Sequence, residues 1–197
     1  MPKITLARFK EIVATPEVQE IFKITASLKT PKEVEIFFKD LFTEVELHRL
    51  INRWLAARWL RKATPYRQIV QKTGISLTTL LRVNENMNNY PDEWKFLFQR
   101  AEDKTDNPYQ ELLKLIVPLK TPKEVDLFFT NLVSRLEMYK LRKRWMAVKM
   151  LDQNIPYRQI SREVNLSLST VLSIAQRLHQ GAGGWKLALR KIQKKKL

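Results

Sequence analysis

Apolar residues recur along this chain at helical spacing. Leu47, Leu50, Ile51, Trp54, Leu55 and Trp59 follow one another at the three- and four-residue steps of a single stripe, the pattern of a helix that buries one face in a core. Thr30 and Thr121 each precede a proline and have a glutamate three positions on, Glu33 and Glu124. That is a capping box: the hydroxyl takes an unpaired helix N–H, the carboxylate returns to the cap, and proline fits the first helical position. Thr43 with Glu46 and Ser134 with Glu137 repeat the start signal for the helix that follows. No stretch alternates with period two, and no pair of strand-like runs flanks a hairpin-type turn dipeptide. The predicted class is all-α.

The cap signals come in pairs because the chain repeats itself. LKTPKEV occupies Leu28 to Val34 and again Leu119 to Val125, an offset of 91 residues (119 − 28), which then holds without a gap. Phe37 and Phe38 match Phe128 and Phe129, Arg53 and Trp54 match Arg144 and Trp145, PYRQI recurs at Pro65 to Ile69 and Pro156 to Ile160, and Trp94 matches Trp185. From Leu28 to Met87 against Leu119 to Leu178, 25 of 60 positions are identical, which marks a tandem duplication. The polar stretch Ala101 to Pro108 falls between the copies and reads as a short linker. The expected organisation is a first module over 1–100, a linker over 101–108 and a second module over 109–197, with about five or six helices per copy.

Each copy carries a helix-turn-helix pattern after its long helix. In TPYRQIVQKTGISLTTLLRVNENMN, Thr64 to Asn88, Pro65 suits a helix start, Ile69 and Val70 face inward, and Gly74 sits where a tight turn needs positive φ. Ser76 then caps a second helix. The second copy has Asn165 at the turn, the next best residue for left-handed geometry, and Ser167 at the cap. A helix, a short turn and a second helix is the geometry that places a recognition helix in the major groove. A plain helical hairpin has the same outline.

At these residues the sequence resembles the tryptophan repressor superfamily, and more closely its YerC/YecD-type branch. The residues that carry the resemblance are FFKDLFTEVEL, YRQI and GISLTT in the first copy, and FFTNLVSRLEM, YRQI and NLSLST in the second. Together they cover roughly Glu17 to Arg100 and Pro108 to Lys191. The resemblance implies a helical module that dimerises by interlocking its N-terminal helices and presents two recognition helices to successive major grooves, here about 76–87 and 167–178. A tandem copy supplies that dimer within one chain, as an intramolecular pseudo-dimer. The family's bound tryptophan is not expected here. Arg53 and Arg144 match one pocket arginine and Arg82 the other, but the second copy has Ser173 at that place, and Val83 and Ile174 stand where a glycine admits the indole. Arg53 and Arg144 are therefore expected to be structural, and no cofactor is expected.

Position in the motif selects the residues expected at duplex DNA. They are Tyr66, Arg67, Gln68, Ser76, Thr78, Thr79 and Arg82 in the first copy, with Tyr157, Arg158, Gln159, Ser167, Ser169, Thr170 and Arg177 in the second. Arginine and short hydroxyls suit phosphates and base edges. Arg67 and Arg158 are the strongest of these, while Ser76 and Ser167 equally serve as helix caps. Leu77, Leu81, Leu168 and Leu172 lie where the family tends to place small or hydroxyl residues; they suit thymine methyls, or self-association or a protein partner. The five tryptophans, in apolar helical settings, are expected in the core.

Charge and composition narrow the function classes. The chain holds 36 basic and 20 acidic residues, a net charge of +16, which favours a polyanionic partner. Residues 1–105 carry 18 basic and 13 acidic groups (18 − 13 = +5) and residues 106–197 carry 18 and 7 (18 − 7 = +11), helped by the closing RKIQKKKL. There is no cysteine, so disulfides and thiolate metal sites are excluded, and His48 and His179 are not at equivalent places in the two copies. No apolar run reaches the roughly 20 residues that span a bilayer. Neither a nucleophile with its base, a phosphate-binding glycine loop nor an acidic metal cluster is present, so no enzyme is expected. The sequence reading is a cytoplasmic, nucleoid-associated DNA-binding protein, a transcriptional regulator, with a helical protein-interaction scaffold or an RNA-binding protein as the alternatives.

Overall fold

The protein, seen in a computed structural model that describes residues 4–101 and 107–193, consists there of helices without strands. The first copy supplies α1 (Leu6–Val13), α2 (Pro16–Ala26), α3 (Pro31–Leu41), α4 (Glu44–Arg61), α5 (Tyr66–Thr73), α6 (Leu77–Asn89) and α7 (Pro91–Arg100). The second supplies α8 (Pro108–Ile116), α9 (Pro122–Leu132), α10 (Arg135–Asp152), α11 (Tyr157–Val164), α12 (Leu168–Gln180) and α13 (Gly184–Gln193). Linker residues 102–106 and tail residues 194–197 lie outside the described residues.

The cap signals act as the sequence implies. Full capping boxes start α4 at Thr43, α9 at Thr121 and α10 at Ser134. At α3 the box is half made: the Thr30 hydroxyl accepts the Glu33 N–H, but Glu33 itself accepts the N–H of Lys29 at 2.6 Å. The first copy has one helix more than expected, α1, started by the Thr5 hydroxyl. At the 91-residue offset its positions begin at 97, inside α7, so α1 has no counterpart for a repeat comparison to reveal.

The two copies are threaded through each other. Helix α2 of the first copy lies on α9 and α10 of the second, and α8 of the second lies on α3 and α4 of the first. The last helices cross as well, α7 onto α9 and α13 onto α2 and α3. One apolar core therefore runs through both copies. At its centre Phe129 sits 5.3 Å from Phe22, 6.1 Å from Phe38 and 6.4 Å from Phe42, all on the other copy. Each such ring removed from water contributes about 1.5–3 kcal/mol, so neither copy holds its own share of the core alone.

Polar contacts across this seam are reciprocal. Arg53 donates to both carboxylate oxygens of Glu137 (2.6 and 2.7 Å) and to the carbonyl of Leu132. Arg144 does the same with Glu46 (2.6 and 3.0 Å) and Leu41 (3.0 Å). Trp54 Nε1 donates to Glu111 and Trp145 Nε1 to Glu20, with Arg58 and Lys149 as the respective cationic partners. Each of these pairs repeats at the 91-residue offset with the copies exchanged, the signature of a two-fold interface. Glu46 and Glu137 each do two jobs, capping a helix and neutralising a buried guanidinium from the other copy.

At one seam the symmetry is broken. Asp40 accepts the N–H of Trp185 at 3.0 Å, holding the start of α13, whereas its counterpart Asn131 donates to Glu93 of α7 at 2.6 Å. Gly184 stands opposite Glu93 in the repeat because α13 approaches closely: a Cβ there would lie 2.2 Å from the carbonyl oxygen of Ile36.

Candidate nucleic-acid interface

In each copy a short helix, a left-handed turn and a longer helix project from the long helix. In the first, α5 ends on Gly74 at φ 66°, and in the second α11 ends on Asn165 at φ 53°. Glycine adopts that conformation freely, and asparagine tolerates it better than most side chains. Ser76 and Ser167 then cap α6 and α12, each hydroxyl accepting the N–H three residues on, from Thr79 and Thr170, at 3.2 Å. Inward, Ile69 and Leu80 pack with Ala56 as a small apolar cluster of their own, bordered by Trp59, Leu60, Val70 and Ile75. The matching Ile160, Val171 and Ala147 are continuous with the main core. The first helix-turn-helix is thus anchored by this patch on α4 together with Val83, which joins the main core, and the second by the main core throughout.

Most of the expected site residues are exposed. Tyr66, Arg67, Gln68, Ser76, Thr78 and Arg82 are exposed in the first copy, as are Tyr157, Arg158, Gln159, Ser167 and Ser169 in the second. Thr79 and Thr170 are half-buried, their hydroxyls bonded to the cap serines at 2.9 and 2.7 Å. Gln159 donates to Glu163. Arg177 stands apart from this group. Its guanidinium turns to the end of α3 and donates to the carbonyls of Lys39, Asp40 and Phe42 at 3.2–3.4 Å. The matching residue in the first copy, Asn86, accepts the Nε1–H of Trp94 instead. Arg177 occupies a recognition helix by sequence and ties the copies together by contact.

Cations that the motif does not single out border both surfaces. Lys62 and Lys72 lie over the ring of Trp59, 5.6 and 4.1 Å from its centroid, beside the first helix-turn-helix. In the second, Lys143 donates to the carbonyl of Asn165 at 2.7 Å and fastens the turn to α10. Their signal in the sequence is faint, because a lysine on a solvated helix face needs no special reason. The other four tryptophans are buried, as their apolar settings imply.

The long helix, the left-handed turn, the serine cap and the interlocked first helices all occur twice. A family model for the Trp repressor protein matches the chain at residues 16–102 and again at 107–193. The chain belongs to the Trp repressor protein family. It is also similar to a protein of Bacillus subtilis (strain 168) named "Uncharacterized protein YerC", 33% identical over 87 residues, which are 44% of this chain and 84% of that protein. No solved structure matches the chain. Within this Trp repressor fold, Arg53 and Arg144 are engaged in the buried pairs between copies, and Val83 and Ile174 are packed into the core. Among the described residues no helix is long and apolar enough to cross a membrane.

Proposed function

We propose that the chain is a transcriptional regulator that binds duplex DNA as a single-chain equivalent of a dimer, with α6 and α12 entering neighbouring major grooves. The observation that carries this reading is the pair of helix-turn-helix units exposing the same Tyr-Arg-Gln face, in a body whose polar contacts obey a two-fold relation. A two-fold axis carries one recognition helix into the other at the same height, which suits a duplex crossing that axis. Tyr66, Arg67, Gln68, Thr78, Arg82, Tyr157, Arg158, Gln159 and Ser169 are the proposed DNA contacts. Ser76, Ser167, Thr79 and Thr170 set the start of the reading helices, and Arg177 holds the frame. Its place of action is the cytoplasm, at the nucleoid.

Arg67 and Arg158 are exposed and belong to no buried pair, so their removal tests the reading without disturbing the fold. The double variant Arg67→Ala/Arg158→Ala is expected to bind duplex more weakly, with a salt slope shallower by about 2, roughly 0.9 for each phosphate that an arginine no longer neutralises. Its thermal transition should match the parent's. Unchanged affinity and slope would remove these arginines, and with them the reading, from consideration.

A further inference from the structure

Several hydroxyls at the start of the recognition helices are already engaged. Ser76 and Ser167 are occupied as caps, and Ser169 lies 3.0 Å from the Ser167 hydroxyl. Beside the exposed Thr78, Arg82, Ser169 and Ser173, the same turns expose apolar groups: Leu77 and Leu81 on α6 are 53% and 47% exposed, and Leu168 and Leu172 on α12 are 41% and 47% exposed. At i and i+4 each pair shares one side of its helix, over the first two turns.

These leucines are held more strictly than much of the core beneath them. Where buried neighbours have drifted, Thr73 to Val164, Leu80 to Val171 and Val83 to Ile174, the exposed leucines are identical in both copies. Apart from Thr30 and the lysines Lys23, Lys29, Lys32 and Lys95, the exposed positions that remain identical are Pro65, Tyr66, Arg67, Gln68, Ser76, Leu77 and Leu81, all in the helix-turn-helix. Packing explains a repeated buried residue, and solvation explains a repeated lysine. A repeated exposed leucine beside a repeated exposed arginine needs a common ligand. The surroundings are cationic: residues 64–89 carry Arg67, Lys72 and Arg82 against Glu85 (3 − 1 = +2), and 155–180 carry Arg158 and Arg162 against Glu163 once Arg177, turned to the end of α3, is set aside (2 − 1 = +1). Apolar side chains framed by cations match the major groove, where the one apolar group on a base edge is the thymine methyl.

We propose that Leu77 and Leu81 in one half-site, and Leu168 and Leu172 in the other, read thymine 5-methyl groups, so that the target holds thymines at equivalent places in both halves. The proposal rests on the DNA-binding reading. On the recognition helices themselves an exposed guanidinium, Arg82, is present in the first copy alone, where α12 has Ser173 and turns Arg177 to α3, so the target is not a perfect palindrome.

The test uses the full chain and a duplex selected from a random library, resynthesised with deoxyuridine in place of each thymidine of the half-sites in turn. That change removes only a methyl. Affinity is expected to fall about four-fold for each contacted methyl. Leu77→Ala/Leu81→Ala/Leu168→Ala/Leu172→Ala should lose the preference for thymine over uracil and bind the two duplexes alike. Equal binding of both duplexes by the parent, or a Leu→Ala variant that keeps the thymine preference, overturns the proposal and leaves these leucines to a protein partner. Absence of binding to any duplex overturns the DNA-binding reading as well.

Discussion

Replacing Arg144 with methionine is expected to cost about 3–5 kcal/mol of folding stability, because it leaves the buried Glu46 carboxylate with only the more exposed Lys140, 3.8 Å away, to offset its charge. Glu46 is almost wholly enclosed, and the Arg144 side chain is 13% exposed. The double variant Glu46→Gln/Arg144→Met should recover much of the loss, since a buried pair replaced together is often nearly neutral. The pH dependence carries a second signature. Burial pushes the Glu46 carboxyl up, but Arg144 and the Thr43 N–H outweigh it and hold the group below its ordinary value. The folded state therefore favours the charged form, and this contribution is present at neutral pH and lost as pH falls through the folded value. In Arg144→Met this contribution should shrink, so the variant should lose less stability than the parent as pH falls through the carboxylate range. Denaturant titrations of parent and variants across that range read both effects; a loss near zero for the single variant would mean the pair is solvated.

Phe129→Ala is expected to destabilise the whole chain by about 3–5 kcal/mol, as for other large rings removed from a closed core. The manner of the loss is as informative as its size. Phe129 belongs to the second copy and packs against Phe22, Phe38 and Phe42 of the first. Calorimetry should therefore show one transition moving to lower temperature as a unit. Two resolved transitions with only one displaced would mean that the copies fold separately.

Much of this architecture is legible in the sequence because its signals are local. Thr43 with Glu46, Ser134 with Glu137, and the exchange of Gly74 for Asn165 report backbone geometry within a few residues, and each has the predicted conformation. The structural character of Arg53 and Arg144 is also visible, through the poor fit of their surroundings to a ligand pocket. Their partners are not. Glu137 lies 84 residues from Arg53 and Glu46 lies 98 from Arg144, and both glutamates already have a sufficient local role as caps. Arg177 shows the same limit in reverse. Its place on the recognition helix suggests DNA, but the carbonyls it meets are 135–138 residues away at the end of α3, brought there only by threading the copies together.

One chain is proposed to supply both reading heads of a dimer-like DNA-binding protein. Selection from a random duplex library at about 0.15 M salt, followed by counting chains per selected duplex, tests it most directly. The predicted result is a single enriched motif of two unequal half-sites, their centres about 10 base pairs apart, bound by one chain. Enrichment of a lone half-site, or no enrichment with binding that vanishes as salt rises, would contradict it.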